Sequence, residues 1–159
     1  MDISEIKNIY PTLDLEVIDF EVENKKYYAN IVTYFSDALK QDLHFLRTYN
    51  EKHLMKEYLK YEDIYVSFFQ ALYAECKIYK FIKEKLIPYN DFPKLEHDIR
   101  YGIQEHVSYN PIIYLIPSEE LMILAGFDLK LIFYWKKSDE LSPKIIKMLT
   151  ERGIEIDDS

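Results

Sequence analysis

Residues 112–135 read IIYLIPSEELMILAGFDLKLIFYW, and this stretch decides the fold. It holds three extended runs, Ile112 to Ile116, Glu120 to Ala125 and Leu129 to Trp135, the first and last carrying most of the β-branched and aromatic side chains. Such residues fit a pleated, half-buried surface better than a helix. Pro117-Ser118 separates the first two runs, and Gly126-Phe127-Asp128 the last two. Links this short leave no room for a crossover helix, so consecutive runs pair antiparallel.

On the N-terminal side, Asn110-Pro111 closes a helix marked by Leu95, Ile99, Ile103 and Val107. Pro88 and Pro93 bracket the loop before it. Earlier still, Ile64, Phe68, Leu72, Cys76, Tyr79, Ile82 and Leu86 recur at helical spacing. Val66, Phe69, Tyr73, Ile78 and Phe81 widen that stripe, which predicts a central, enclosed helix from Glu62 or Asp63 to Leu86. Two shorter helices are expected before it. One starts at Ser36 or Asp37, carries Leu39, Leu43 and Leu46 and breaks near Thr48-Tyr49-Asn50; the other runs from about Glu51 to Lys60.

Leu15 to Phe35 reads as a hairpin. Ile18, Phe20 and Val22 alternate with Asp19 and Glu21, the polar run Glu23 to Lys26 turns the chain, and Tyr27 to Phe35 returns. At the other end Ser142 can cap a helix with Pro143 in its first turn, Ile145, Ile146 and Leu149 facing inward, and Gly153 ending it. Adjacent strands rather than alternating βαβ units predict an α+β fold. A largely antiparallel sheet, made of the N-terminal hairpin plus three C-terminal strands, would pack against a helical layer of four to five helices. The expected organisation is one domain over residues 1–159, since three glycines and unclustered prolines give no material for a linker.

Cys76 is the sole cysteine, so no intrachain disulfide can form. Met1-Asp2-Ile3-Ser4-Glu5 has no apolar core of a leader peptide, and no apolar run approaches the roughly 20 residues of a membrane helix. A cytoplasmic, reducing location is the expectation. The net charge of −8 is unevenly spread. Residues 1–24 set Asp2, Glu5, Asp14, Glu16, Asp19, Glu21 and Glu23 against Lys7 alone, and residues 151–159 set Glu151, Glu155, Asp157 and Asp158 against Arg152. The two ends are acidic and the middle is nearly neutral. Acidic ends disfavour contact with phosphate backbones and favour encounter with a basic partner.

Chemistry-bearing motifs are scarce. There is no G-x-G-x-x-G, no G-x-x-x-x-G-K-[ST] and no G-x-S-x-G. His44/His53 and His97/His106 are each nine residues apart, a spacing that puts the two rings on opposite sides of a helix. The segment 96–106 is the richest in potential ligands, with Glu96, His97, Asp98, Glu105 and His106. Asp14 followed by Glu23-Asn24-Lys25 resembles the carboxylate and E-x-K arrangement of PD-(D/E)xK nucleases. That E-x-K falls in the expected turn and lies within the most acidic part of the chain, which would repel nucleic acid. No metal and no cofactor is therefore expected.

Fifteen tyrosines suit either an interface or the margins of a core. The functional expectation is a small acidic binder that neutralises a basic protein, as a toxin-immunity protein or an inhibitor does. Asp14, Glu16, Asp19, Glu21 and Glu23 would be its contact residues, with no nucleic acid and no membrane involved. Pairing of copies through a tyrosine-rich surface stays open. The alternative is an enzyme or ligand-binding domain built around the helix 95–107.

Overall fold

The apolar runs of residues 112–135 become the middle of a seven-stranded sheet. The structure is a computed structural model describing residues 2–10, 28–40, 52–83, 85–103, 111–126 and 129–157. Its elements in chain order are α1 (Ile3–Ile9), β1 (Tyr28–Tyr34), α2 (Ser36–Lys40), α3 (Lys52–Glu75), β2 (Tyr79–Ile82), β3 (Lys85–Pro88) and α4 (Phe92–Gly102). Then come β4 (Ile112–Ile116), a 3-10 turn (Pro117–Glu119), β5 (Leu121–Ala125), β6 (Leu131–Lys136), α5 (Pro143–Thr150) and β7 (Glu155–Asp157). Spatial order is β3-β2-β4-β5-β6-β1-β7, antiparallel at every pairing. The α+β class and the antiparallel sheet are as expected from the sequence.

Every residue of β4 and β5 is buried, because both faces of the sheet are covered there. Tyr114, Ile123 and Phe133 stand side by side across β4, β5 and β6 and face α3. Phe69 meets Tyr114 at 5.0 Å between ring centroids, and Phe68 meets Phe133 at 5.7 Å. Leu95 and Ile99 of α4 and Ile145 and Leu149 of α5 complete this core. Leu115, Met122, Leu124 and Tyr134 face the opposite way and meet Ile6 and Tyr10 at α1. Tyr10 is fully buried, and its hydroxyl donates to the carbonyl of Leu121 at 2.7 Å.

Where α4 ends, the helix approaches the sheet closely. A Cβ on Gly102 would meet Ile112 Cδ1 at 3.1 Å and Ala125 Cβ at 3.2 Å, so a side chain there would press helix and sheet apart by a few tenths of an ångström. Leu129, entering β6, holds the left-handed φ of +57° that a leucine rarely adopts. Two bonds hold it there. Its N–H donates to the carbonyl of Ile103 at 3.0 Å, and its carbonyl accepts from the Tyr65 hydroxyl at 2.9 Å. Tyr65 Oη lies 2.9 Å from Thr33 Oγ1, which also accepts the Leu131 N–H at 3.0 Å. This buried chain joins α3, β1 and β6.

Several expectations need correction. The helix predicted over residues 62–86 stops at Glu75, and Tyr79 to Pro88 instead form the hairpin β2–β3. Tyr79, Ile82 and Leu86 sit at helical spacing, but β4 offers an edge on which Tyr79 to Phe81 pair with Ile113 to Leu115 and find backbone partners. The expected break near residue 61 is absent, since α3 is continuous from Lys52. Ile146 is exposed, and Met148 packs inward in its place. Ser142 makes no side-chain cap. Gly153, at φ +71°, ends α5 as expected; Ile154 N–H bonds to the Leu149 carbonyl and Gly153 N–H to the Thr150 carbonyl, a Schellman ending.

Neither α1 nor β7 was expected. Of the N-terminal hairpin, the returning strand is present as β1, while its partner at residues 16–22 lies outside the described residues.

Candidate functional site

Three polar regions stand out, and the first is the edge strand β7. Among the described residues it pairs only with β1, as Val32↔Asp157, Thr33↔Ile156 and Tyr34↔Glu155, and no described strand lies beyond it. Ile156 turns inward against the main core, which sends Glu155 and Asp157 to the opposite side, where both are exposed. Glu155 accepts the Ser36 N–H at 2.6 Å and so ties down the start of α2. That backbone hydrogen bond holds its carboxyl below the ordinary carboxylate range. Glu155 therefore keeps its charge to lower pH than an ordinary glutamate.

The second region is a surface depression of about 240 Å³ between the 3-10 turn and the loop leading to α5. Glu119, Glu120, Trp135, Lys136, Asp139 and Glu140 contribute to its lining. Trp135 Nε1 donates to the Asp139 carbonyl at 3.1 Å, which fixes the indole. Lys136 lies 3.1 Å from Glu120, and Lys144 lies 2.9 Å from Glu119 and 3.1 Å from Glu75. Hydrogen bonds to Glu119 and Glu75 hold the Lys144 ammonium above its ordinary pKa. Asp139 and Glu140 make no ion pair with a lysine or arginine among the described residues.

The third region is α4, the alternative proposed from sequence. Its acids diverge. Glu96 turns to Arg100 at 3.0 Å, and Arg100 also reaches Glu62 and Asp63 at 2.9 Å each. Burial works against the Arg100 charge, but hydrogen bonds to Glu62, Glu96 and Asp63 outweigh it and raise the pKa. Glu62 is almost wholly buried, and desolvation lifts its carboxyl above the ordinary range although Arg100 pulls the other way. Asp98 points to the sheet, accepting from Tyr89 at 2.6 Å and pairing with Lys80 at 3.2 Å. His97 is exposed. These groups fasten α4 to α3 and to β2; they do not converge on a point where a substrate could react. Glu105 and His106 lie outside the described residues.

Among the described residues no group of three or more His, Cys, Asp or Glu side chains could hold a metal. No described helix is long and apolar enough to cross a membrane. Cys76 is buried, its Sγ 3.9 Å from Glu119.

Asp14, Glu16, Asp19, Glu21 and Glu23 all lie outside the described residues, as does the Asp14 to Lys25 stretch with its nuclease-like spacing. The fold adds two acidic groups that the sequence reading left aside: Glu155 with Asp157 on the edge, and Asp139 with Glu140 beside Trp135. The first had a signal in the period-two run Ile154-Glu155-Ile156-Asp157. Among the described residues tyrosine, in contrast, is mainly interior, with Tyr10, Tyr28, Tyr58, Tyr65, Tyr79, Tyr89, Tyr114 and Tyr134 buried. A tyrosine-rich pairing surface is not formed by these residues. No protein-family model matches the chain, and no curated protein or solved structure is significantly similar to it.

Proposed function

We propose that this protein is a cytoplasmic binder that captures a basic protein and neutralises it by covering its cationic surface, in the manner of an immunity protein or an inhibitor. The observation that carries the reading is the segregation of negative charge to the two chain ends, with Glu155 and Asp157 of the C-terminal share on the exposed edge strand β7. Acids on a rigid strand act from fixed positions, so they raise the encounter rate with a cationic partner and set its orientation. Asp14, Glu16, Asp19, Glu21 and Glu23 would supply the N-terminal share of the field. Neither nucleic acid nor a membrane surface is the partner in this reading, because both carry the same sign of charge as the binder. The alternative of catalysis at α4 loses support from the divergence of Glu96, His97 and Asp98.

The test is binding to the product of the neighbouring gene, where a toxin and its neutraliser are commonly encoded together. A basic product should be captured tightly at low salt, and Asp19→Lys with Glu21→Lys should weaken capture by at least about tenfold. A neighbour that is not basic, or capture indifferent to these reversals, contradicts the proposal.

A further inference from the structure

The sheet ends in two edges of opposite charge. At β3 the stretch 77–85 carries Lys77, Lys80, Lys83 and Lys85 against Glu84 alone. Lys80 is held by Asp98, whereas Lys83 and Lys85 are exposed at the hairpin tip. Ile82 and Ile87 are exposed beside them. At β7, Glu155 and Asp157 are exposed, within an end segment of four acids and one arginine. Neither β3 nor β7 has a second strand neighbour among the described residues.

We propose that the β3 edge of one copy docks against the β7 edge of another, so that the chain self-associates head to tail. An edge strand presents backbone donors and acceptors that another strand can satisfy, and charge decides which strand that is. A contact of β3 with β3 would gather the exposed lysines of both copies along one seam with no described carboxylate between them. A contact of β7 with β7 would do the same with Glu155 and Asp157. Like charges placed opposite each other destabilise strand pairing, so both symmetric contacts are disfavoured. The pairing of β3 with β7 brings lysine to carboxylate instead.

Strand directions permit it in two ways. The sheet has seven strands and is antiparallel throughout, so β3 and β7 run in the same direction. A copy added in the same orientation pairs parallel; a copy turned over about the in-plane axis across the strands pairs antiparallel. Either arrangement is heterologous and leaves one edge open at each end of the assembly. The paired strands have only four and three residues, so the contact is weak and concentration-dependent.

Sedimentation velocity over a dilution series tests this. The native chain should gain mass with concentration at ~0.05 M salt and return to monomer near ~0.5 M. Lys83→Glu with Lys85→Glu should weaken association at least about tenfold, as should Glu155→Lys with Asp157→Lys. The lysine pair lies at an exposed tip away from the core, so that variant keeps the test valid if the β7 variant folds poorly. Mixing the two variants sets the native acidic β7 of one against the native basic β3 of the other, and the acidified β3 against the basic β7, so association should return. A monomer at every concentration overturns the proposal, and so does association that neither salt nor the lysine variant changes.

Discussion

In β4 and β5 every side chain is buried, whereas β3 and β7 alternate exposed with half-buried positions and display Lys85, Glu155 and Asp157. The difference follows from neighbours. A central strand has a partner on each side and a layer on each face, so any charge there would lose its water without a partner. An edge strand keeps one side open, and charge placed there costs little and guards against indiscriminate pairing. The centre therefore specifies the fold, and the edges are where recognition can be written. Carboxylates follow the same division. Glu62, inside, is driven toward its neutral form by burial, while Glu155, at the edge, is held in its charged form by a backbone N–H.

The sharpest way to break the comparison is to damage the centre. Phe133→Ala removes a fully buried ring that meets Phe68 and should lower stability by about 3–5 kcal/mol in urea denaturation. Tyr65→Phe keeps the ring but removes the donor to the Leu129 carbonyl and the partner of Thr33. Its expected cost is about 1–3 kcal/mol, with earlier hydrogen exchange at Leu129 and Leu131 as the local sign.

Smaller effects should appear in pH dependence, and with opposite signs. Glu155 has a depressed native pKa, so its contribution is present above the unfolded value and fades as pH falls through the acid range toward the native one. Glu62 has a raised native pKa, so its contribution is present at low pH and fades as pH climbs above the usual glutamate value. Glu155→Gln should flatten the loss of stability on acidification. Glu62→Gln should flatten the loss on the rising side and cost little at neutral pH, because the amide still accepts from Arg100. Urea midpoints recorded between about pH 3 and pH 7 distinguish the two cases.

What could be read from the sequence divides along the same line. The runs at Ile112 to Ile116, Leu121 to Ala125 and Leu131 to Lys136 were legible because Pro117 and Gly126 punctuate them and their composition suits a sheet. The hairpin at residues 79–88 was not. Tyr79, Ile82 and Leu86 fit a helical stripe, and only the open edge of β4, a tertiary feature, turns them into strands. The first helix had a readable signal in the Asp2 and Glu5 capping box. For the site, negative charge at the chain ends was visible as composition, but the placing of Glu155 and Asp157 on a sheet edge needed β1 to be located first. The acids of α4 stood out in the sequence as the segment richest in potential ligands, and their divergence depends on Arg100 and Tyr89, which no spacing rule supplies.

The account rests on negative charge at the margin of the sheet acting on a basic partner. The most direct test is the association rate with the basic partner proposed above, measured by stopped flow across a salt series, for the native chain and for Glu155→Lys with Asp157→Lys. The expected result is a rate that falls steeply with salt in the native chain and is low and nearly flat in the variant. Equal rates and equal salt slopes for the two proteins would contradict it.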